Sequence, residues 1–93
     1  MDNPPVIKEL GRRLPQLGPL AWLREELPPI IARKDVRRIL GGILAPNTLC
    51  NDDRRGRGPA RRIEVNGGVA YPRDYLLEYL ERKGVNVIDV PQI

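Results

Sequence analysis

The sequence predicts a small α+β domain in which a helix-turn-helix precedes a β-hairpin and a closing helix, all behind an N-terminal helical extension. Three observations carry this. Val36, Ile39, Leu40 and Ile43 fall on one helical face, with Gly41-Gly42 as a stop and Pro46 opening a second helix. The segments flanking Asn66-Gly67-Gly68 alternate apolar and polar residues with period two. Leu76, Leu77 and Leu80 then form an apolar stripe ahead of Gly84. A chain of 93 residues holds one such domain.

Residues 1–29 read as the extension. Val6, Ile7 and Leu10, with Leu14 one turn on, share a face of a short helix that Pro15 stops. Beyond Gly18-Pro19, Leu20, Leu23 and Leu27 follow i, i+3, i+7 spacing, and Pro28-Pro29 forces extended backbone. Two readings fit: an extension that pads the core, or a docking or dimerisation arm centred on Trp22.

Residues 30–84 read as the main domain. Ile30-Ile31 is a short apolar step. A helix over 32–40 follows, with Arg33, Lys34, Arg37 and Arg38 off its apolar face. Gly41-Gly42 supplies a turn where positive φ is cheap. The second helix spans 45–53, with Pro46 suited to its first position. Leu49 and Cys50 face inward, Cys50 as a small apolar group, while Asn47, Thr48 and Asn51 lie outside. Gly56 and Gly58-Pro59 end it. A helix, a glycine turn and a second short helix make a helix-turn-helix layout.

The hairpin occupies 61–71. A two-residue Asn66-Gly67 loop would split its apolar residues between faces. A three-residue Asn66-Gly67-Gly68 loop would pair Val65 with Val69 and Ile63 with Tyr71 on one buried face, leaving Arg62, Glu64 and Ala70 outside. The three-residue loop is therefore expected. Pro72-Arg73-Asp74 begins the closing helix, whose Tyr75 and Tyr79 flank the leucine stripe as half-buried packing groups. The tail, 85–93, has strand propensity without a turn back. It suits an edge strand, a strand paired across a dimer, or a frayed end.

Composition removes several functions. The chain has no His, no Ser and one cysteine, Cys50, so Ser-His and Cys-His hydrolases, zinc sites and internal disulfides are excluded. Adjacent acids such as Glu25-Glu26 and Asp52-Asp53 do not face one another on a helix and make no acid/base dyad. No phosphate-binding glycine loop occurs. A non-enzyme without cofactor or metal is expected. The opening Met1-Asp2-Asn3-Pro4-Pro5 lacks a signal-peptide layout, and no run of about 18 apolar residues could span a membrane. A cytoplasmic protein is expected.

Charge is polarised. Between Arg33 and Arg73 lie ten basic and four acidic residues, a local +6, while the remainder carries −2 of the overall +4. A positive zone on a helix–helix–hairpin pattern is the electrostatic footprint of a nucleic-acid reader. RNA binding is disfavoured, because no aromatic-bearing sheet for stacking single strands is apparent.

Read together, residues 31–82 resemble the excisionase and AlpA-type DNA-binding proteins, relatives of the MerR-type winged helix. Asp35-Val36 with Ile39-Leu40-Gly41 resembles the family's first helix, and Asn47-Thr48-Leu49 the start of its second. Gly56-Arg57-Gly58-Pro59 resembles its GxGP link. Gly67 or Gly68 with Val69 and Tyr71 resembles the return strand of its wing, and Asp74, Leu76-Leu77 and Tyr79-Leu80 its closing helix. The resemblance implies a small winged helix-turn-helix whose second helix enters the DNA major groove while the wing touches an adjacent groove or its phosphates. Family members regulate transcription or direct recombination in mobile elements. Asp52 and Asp53 depart from the pattern. Next to phosphates they must point away, pair with Arg54, Arg55 or Arg57, or accept from cytosine amino groups.

On this reading Asn47, Thr48 and Asn51 contact bases, although Asn47 and Thr48 equally suit helix capping. Phosphate or groove contacts fall to Arg33, Lys34, Arg37, Arg38, Arg54, Arg55, Arg57, Arg61, Arg62, Asn66 and Gly67. Arg62→Ala is then expected to weaken cognate and random DNA alike, and Asn51→Ala to weaken cognate DNA more. The expected partner is double-stranded DNA, bound by a homodimer or a cooperative array, with no membrane contact. The competing function is a protein–protein adaptor, in which the 20–27 arm and the tail bind protein and the basic zone meets an acidic partner.

Overall fold

Ile31 and Tyr71, both fully buried, face each other across antiparallel strands at the centre of the molecule. The structure, a computed structural model, describes residues 17–92. The expected helix over 6–14 lies outside the described residues. Along the described chain come a 3₁₀ turn Ala21–Glu25, strand β1 Ile30–Ala32, and a 3₁₀ turn Arg33–Asp35 running into helix α1 Val36–Ile39. Helix α2 Pro46–Arg54, strands β2 Ile63–Val65 and β3 Gly68–Pro72, and helix α3 Arg73–Arg82 complete it. The architecture is α+β: among the described residues there are three α-helices and a three-stranded antiparallel sheet ordered β1–β3–β2.

One face of the sheet builds the core. Ile31 and Tyr71 pack with Val36 and Leu40 of the first helical segment, Leu49 of α2, and Leu76, Leu77, Tyr79 and Leu80 of α3. The leucine stripe of α3 is buried as its spacing predicts. Tyr79, expected to be half-buried, is enclosed. In α2 Pro46 stands first, as expected.

The first helix is shorter than its periodicity suggests. No side chain caps it, and a 3₁₀ turn replaces its opening turn. Gly41 (φ +66°) and Gly42 (φ +87°) then end it in left-handed backbone. That turn resets the helical phase. Ile43, expected on the apolar face, is 74% exposed, and Leu44 takes the core position instead.

The hairpin register is a second correction. The loop is the two-residue Asn66-Gly67, not the three-residue loop, and the pairs are Ile63–Ala70, Glu64–Val69 and Val65–Gly68. Both loop residues sit at positive φ, +48° and +84°, the requirement of a type I′ turn whose twist matches the strands. A one-residue shift exchanges faces. Arg62 and Glu64 thus project on the Val69/Tyr71 side, toward the helices. Ile63 and Val65 share the outer face with Ala70 and Ile30, where they stay exposed. The anticipated partner for Tyr71, Ile63, is replaced by Ile31 of β1.

The described part of the extension packs on α3. Leu20 is buried, and Leu17, Leu23 and Leu27 lie against the core. Glu81 of α3 accepts hydrogen bonds from the backbone amides of Gly18 (2.8 and 2.9 Å) and Leu20 (2.7 Å). Arg24 pairs with Asp74 at 3.1 Å. These contacts match the padding role, while Trp22 remains 61% exposed. Residues 85–92 form no strand. Gly84 (φ +101°) ends α3, and Val87, Ile88 and Val90 are exposed. No helix among the described residues is long and apolar enough to cross a membrane.

Candidate nucleic-acid interface

Two carboxylates fix α2. Successive residues on a helix lie about 100° apart, so Asp52 and Asp53 leave it on either side of the buried Leu49. Asp53 Oδ2 accepts a hydrogen bond from the Tyr71 hydroxyl at 2.6 Å and from Arg33 Nη2 at 2.6 Å. Arg33 Nε in turn donates to the Tyr71 oxygen at 2.9 Å. On the other flank, Asp52 Oδ2 accepts from the Tyr79 hydroxyl and from Lys83 Nζ, the latter at 2.9 Å. Both acids thus turn away from the outer ridge of α2, one of the outcomes open to them. Their hydrogen-bond partners come from β3, the 3₁₀ turn ahead of α1 and the C-terminal end of α3 rather than from Arg54, Arg55 or Arg57.

These bonds set the electrostatics. Burial and the bond to Asp53 push the Tyr71 hydroxyl up to about 12. Burial and the bond to Asp52 raise Tyr79 as well. The Tyr79 hydroxyl and the Lys83 ammonium hold Asp52 below the ordinary carboxylate range. Both tyrosines are therefore neutral donors and Asp52 a charged acceptor at neutral pH.

With its inner edge fixed, α2 presents Asn47, Asn51, Arg54 and Arg55 to solvent, and Thr48 is half-buried. The N-cap is Ala45, without a side-chain cap, so Asn47 and Thr48 stand inside the first turn rather than at the capping position. Beside this ridge lies a cleft of about 460 Å³ between α2 and the hairpin. Cys50, Asp53 and Arg54 form one wall, Arg62, Glu64 and the Asn66–Val69 stretch the other, and Arg33 also lines it. Cys50 is half-buried there rather than enclosed. The cleft carries three cations against two carboxylates.

The expected cations thus divide. Arg54, Arg62, Asn66 and Gly67 meet at the cleft. Arg33 also reaches it, yet its hydrogen bonds to Tyr71 and Asp53 make it a structural tie. Lys34, Arg37 and Arg38 are exposed on the first helical segment and do not line the cleft. Arg38 lies 3.7 Å from Asp35. Arg61 stacks over Tyr75, its guanidinium carbon 5.5 Å from the ring centre. Arg57 borders a separate depression with Asp52, Gly56, Tyr79, Arg82 and Lys83. Sequence reasoning left out Glu64 as a cleft residue, a direct consequence of the wrong register. It also left out Arg82 and Lys83, which read as ordinary helix-end charges. Among the described residues no group of acids and cysteine is arranged to hold a metal ion.

No protein-family model matches the chain, and neither a curated protein nor a solved structure aligns with it significantly.

Proposed function

We propose that this protein binds double-stranded DNA sequence-specifically as a small winged helix-turn-helix, acting as a transcriptional regulator or an excisionase-like factor. The observation that carries this reading is the cleft: the exposed Asn47–Asn51–Arg54 ridge of α2 stands beside a hairpin whose Arg62, Asn66 and Gly67 line the same opening. A helix of this size fits the major groove, where Asn makes two hydrogen bonds to adenine. The hairpin tip, with glycine at its apex, can approach a phosphate closely, and the exposed arginines supply counterion release.

Mobility-shift titration against a random duplex pool tests the proposal. With about six phosphates contacted, log affinity falls with log salt at a slope of about −5, roughly a 10³-fold loss from 50 to 200 mM. Asn51→Ala weakens the preferred duplex more than a scrambled one, whereas Arg54→Ala weakens both. A flat salt response refutes the proposal. The exposed Trp22 and the apolar outer face of the sheet favour a second reading, the protein adaptor. An adaptor shows no duplex preference once a polyanion competitor is added.

A further inference from the structure

Arg62 is held differently from the other exposed arginines. It and Glu64 are two residues apart at β2 and therefore project on one face, the face turned to α2. Arg62 Nε donates to Glu64 Oε2 at 2.7 Å. Its Nη1 stands 3.8 Å from Asp53 Oδ1 on α2, a buried oxygen that accepts no hydrogen bond among the described residues. Asp53 directly precedes Arg54, so the Arg62 head borders the helix that carries the exposed ridge.

Two carboxylates therefore flank one guanidinium. A cation compensated in this way displaces few counterions when it meets a phosphate, because its charge is already largely neutralised. What remains is shape. Nε is engaged by Glu64, Nη1 is drawn toward Asp53, and neither Nη group makes a hydrogen bond among the described residues. A pair of Nη donors oriented in this way matches the two acceptors, N7 and O6, on the major-groove edge of guanine.

We infer that Arg62 reads a guanine edge and that Glu64 is the positioning residue that holds its fork. This inference rests on the DNA-binding reading and reassigns Arg62 from phosphate contact to base contact. Glu64, a carboxylate in a DNA-facing cleft, otherwise only repels the duplex. As a positioning group it trades overall affinity for discrimination.

The test starts from the duplex that the unaltered protein selects from a random pool, with a scrambled duplex as reference, over 50–200 mM salt. Arg62→Lys keeps the charge and loses the fork. It is expected to lose about tenfold or more on the selected duplex, to change by less than about twofold on the scrambled one, and to keep the salt slope. Replacing one guanine by 7-deazaguanine, which lacks N7, should cost the unaltered protein a similar factor and cost Arg62→Lys nothing further. Glu64→Ala should raise affinity for the scrambled duplex and narrow the selected-to-scrambled ratio. Glu64→Gln, which still accepts from Nε, should preserve more of that ratio. Losses for Arg62→Ala that are equal on both duplexes, with a slope smaller by about one, would make Arg62 a phosphate contact and overturn the inference. So would Glu64→Ala and Glu64→Gln raising both affinities alike. A protein that selects no duplex at all overturns this inference and the DNA-binding reading together, whereas clear selection with uniform Arg62 losses overturns this inference alone.

Discussion

Substituting Ala for Gly58 should unseat Asp53. A Cβ at position 58 would stand 1.8 Å from Asp53 Oδ1 and 2.9 Å from its Cγ, far inside contact distance. The carboxylate has little freedom to move aside, because Oδ2 is held at 2.6 Å by both Tyr71 and Arg33. Either that link breaks or the loop carrying Gly58 shifts. Breaking it leaves a buried hydroxyl and a guanidinium without their acceptor, and severing one partner of a buried charged pair costs about 3–5 kcal/mol. The Arg33 side chain retains 22% exposure and recovers some hydration. The expected loss for Gly58→Ala is therefore about 3 kcal/mol, a large share of the roughly 5–14 kcal/mol that stabilises a domain of this size. Asp53→Ala should cost as much by removing the acceptor outright. The double variant is decisive. With Asp53 truncated, the nearest of the named atoms left is its Cα, at 3.3 Å, so Gly58→Ala should add less than about 1 kcal/mol. Urea unfolding of the four proteins by circular dichroism, in sucrose to keep the weakest folded, measures the coupling. Costs that add to within about 0.5 kcal/mol would refute the reasoning.

Three further outcomes follow from the same geometry. Tyr71 ordinarily titrates near 10 but is raised to about 12 in the fold, with Tyr79 shifted the same way. The stability these groups contribute is complete below pH 10 and lost as pH rises through their folded values. Unfolding measured between pH 9 and 12 should show a loss of up to about 3 kcal/mol from Tyr71, diminished in Tyr71→Phe. Asp52 is lowered, so its contribution is present above its ordinary range near 4 and lost as pH falls through the folded value. Lys83→Met should shrink that acid-side loss in the same measurement. At the hairpin tip, Gly67→Ala places a side chain at φ +84° and should cost about 1–2 kcal/mol, seen as a drop in Tm, whereas Asn66→Gly should change stability by less than about 0.5 kcal/mol.

The local chemistry of the sequence was a good guide where one short signal decides an element. Pro46 marks the first residue of α2, the leucine stripe of α3 is buried, and the glycines at 41 and 42 end the first helical segment. It failed where a distant segment decides. The hairpin faces depend on β1, a three-residue strand too short to show a period. Once Ile31 supplies the partner for Tyr71, nothing requires Ile63 to do so, and Asn66-Gly67 is free to form its preferred turn. The same error hid Glu64 from the cleft. Asp52 and Asp53 were legible as an anomaly on a helix expected to meet DNA. Their resolution needed Tyr71 and Tyr79, 18 and 27 residues away, and no spacing rule connects them. The cation cluster was legible as charge but not as a surface. Arg33 and Arg61 found internal partners, and Lys34, Arg37 and Arg38 do not line the cleft.

Anchors on both sides of Leu49 deny α2 any roll about its own axis. If α2 reads DNA as proposed, a reader mounted so stiffly cannot swivel to rescue a misplaced base. The accommodation then falls to the duplex, whose pyrimidine–purine steps yield most readily. Preferred sites should therefore carry such pliable steps even at base pairs that no side chain reaches.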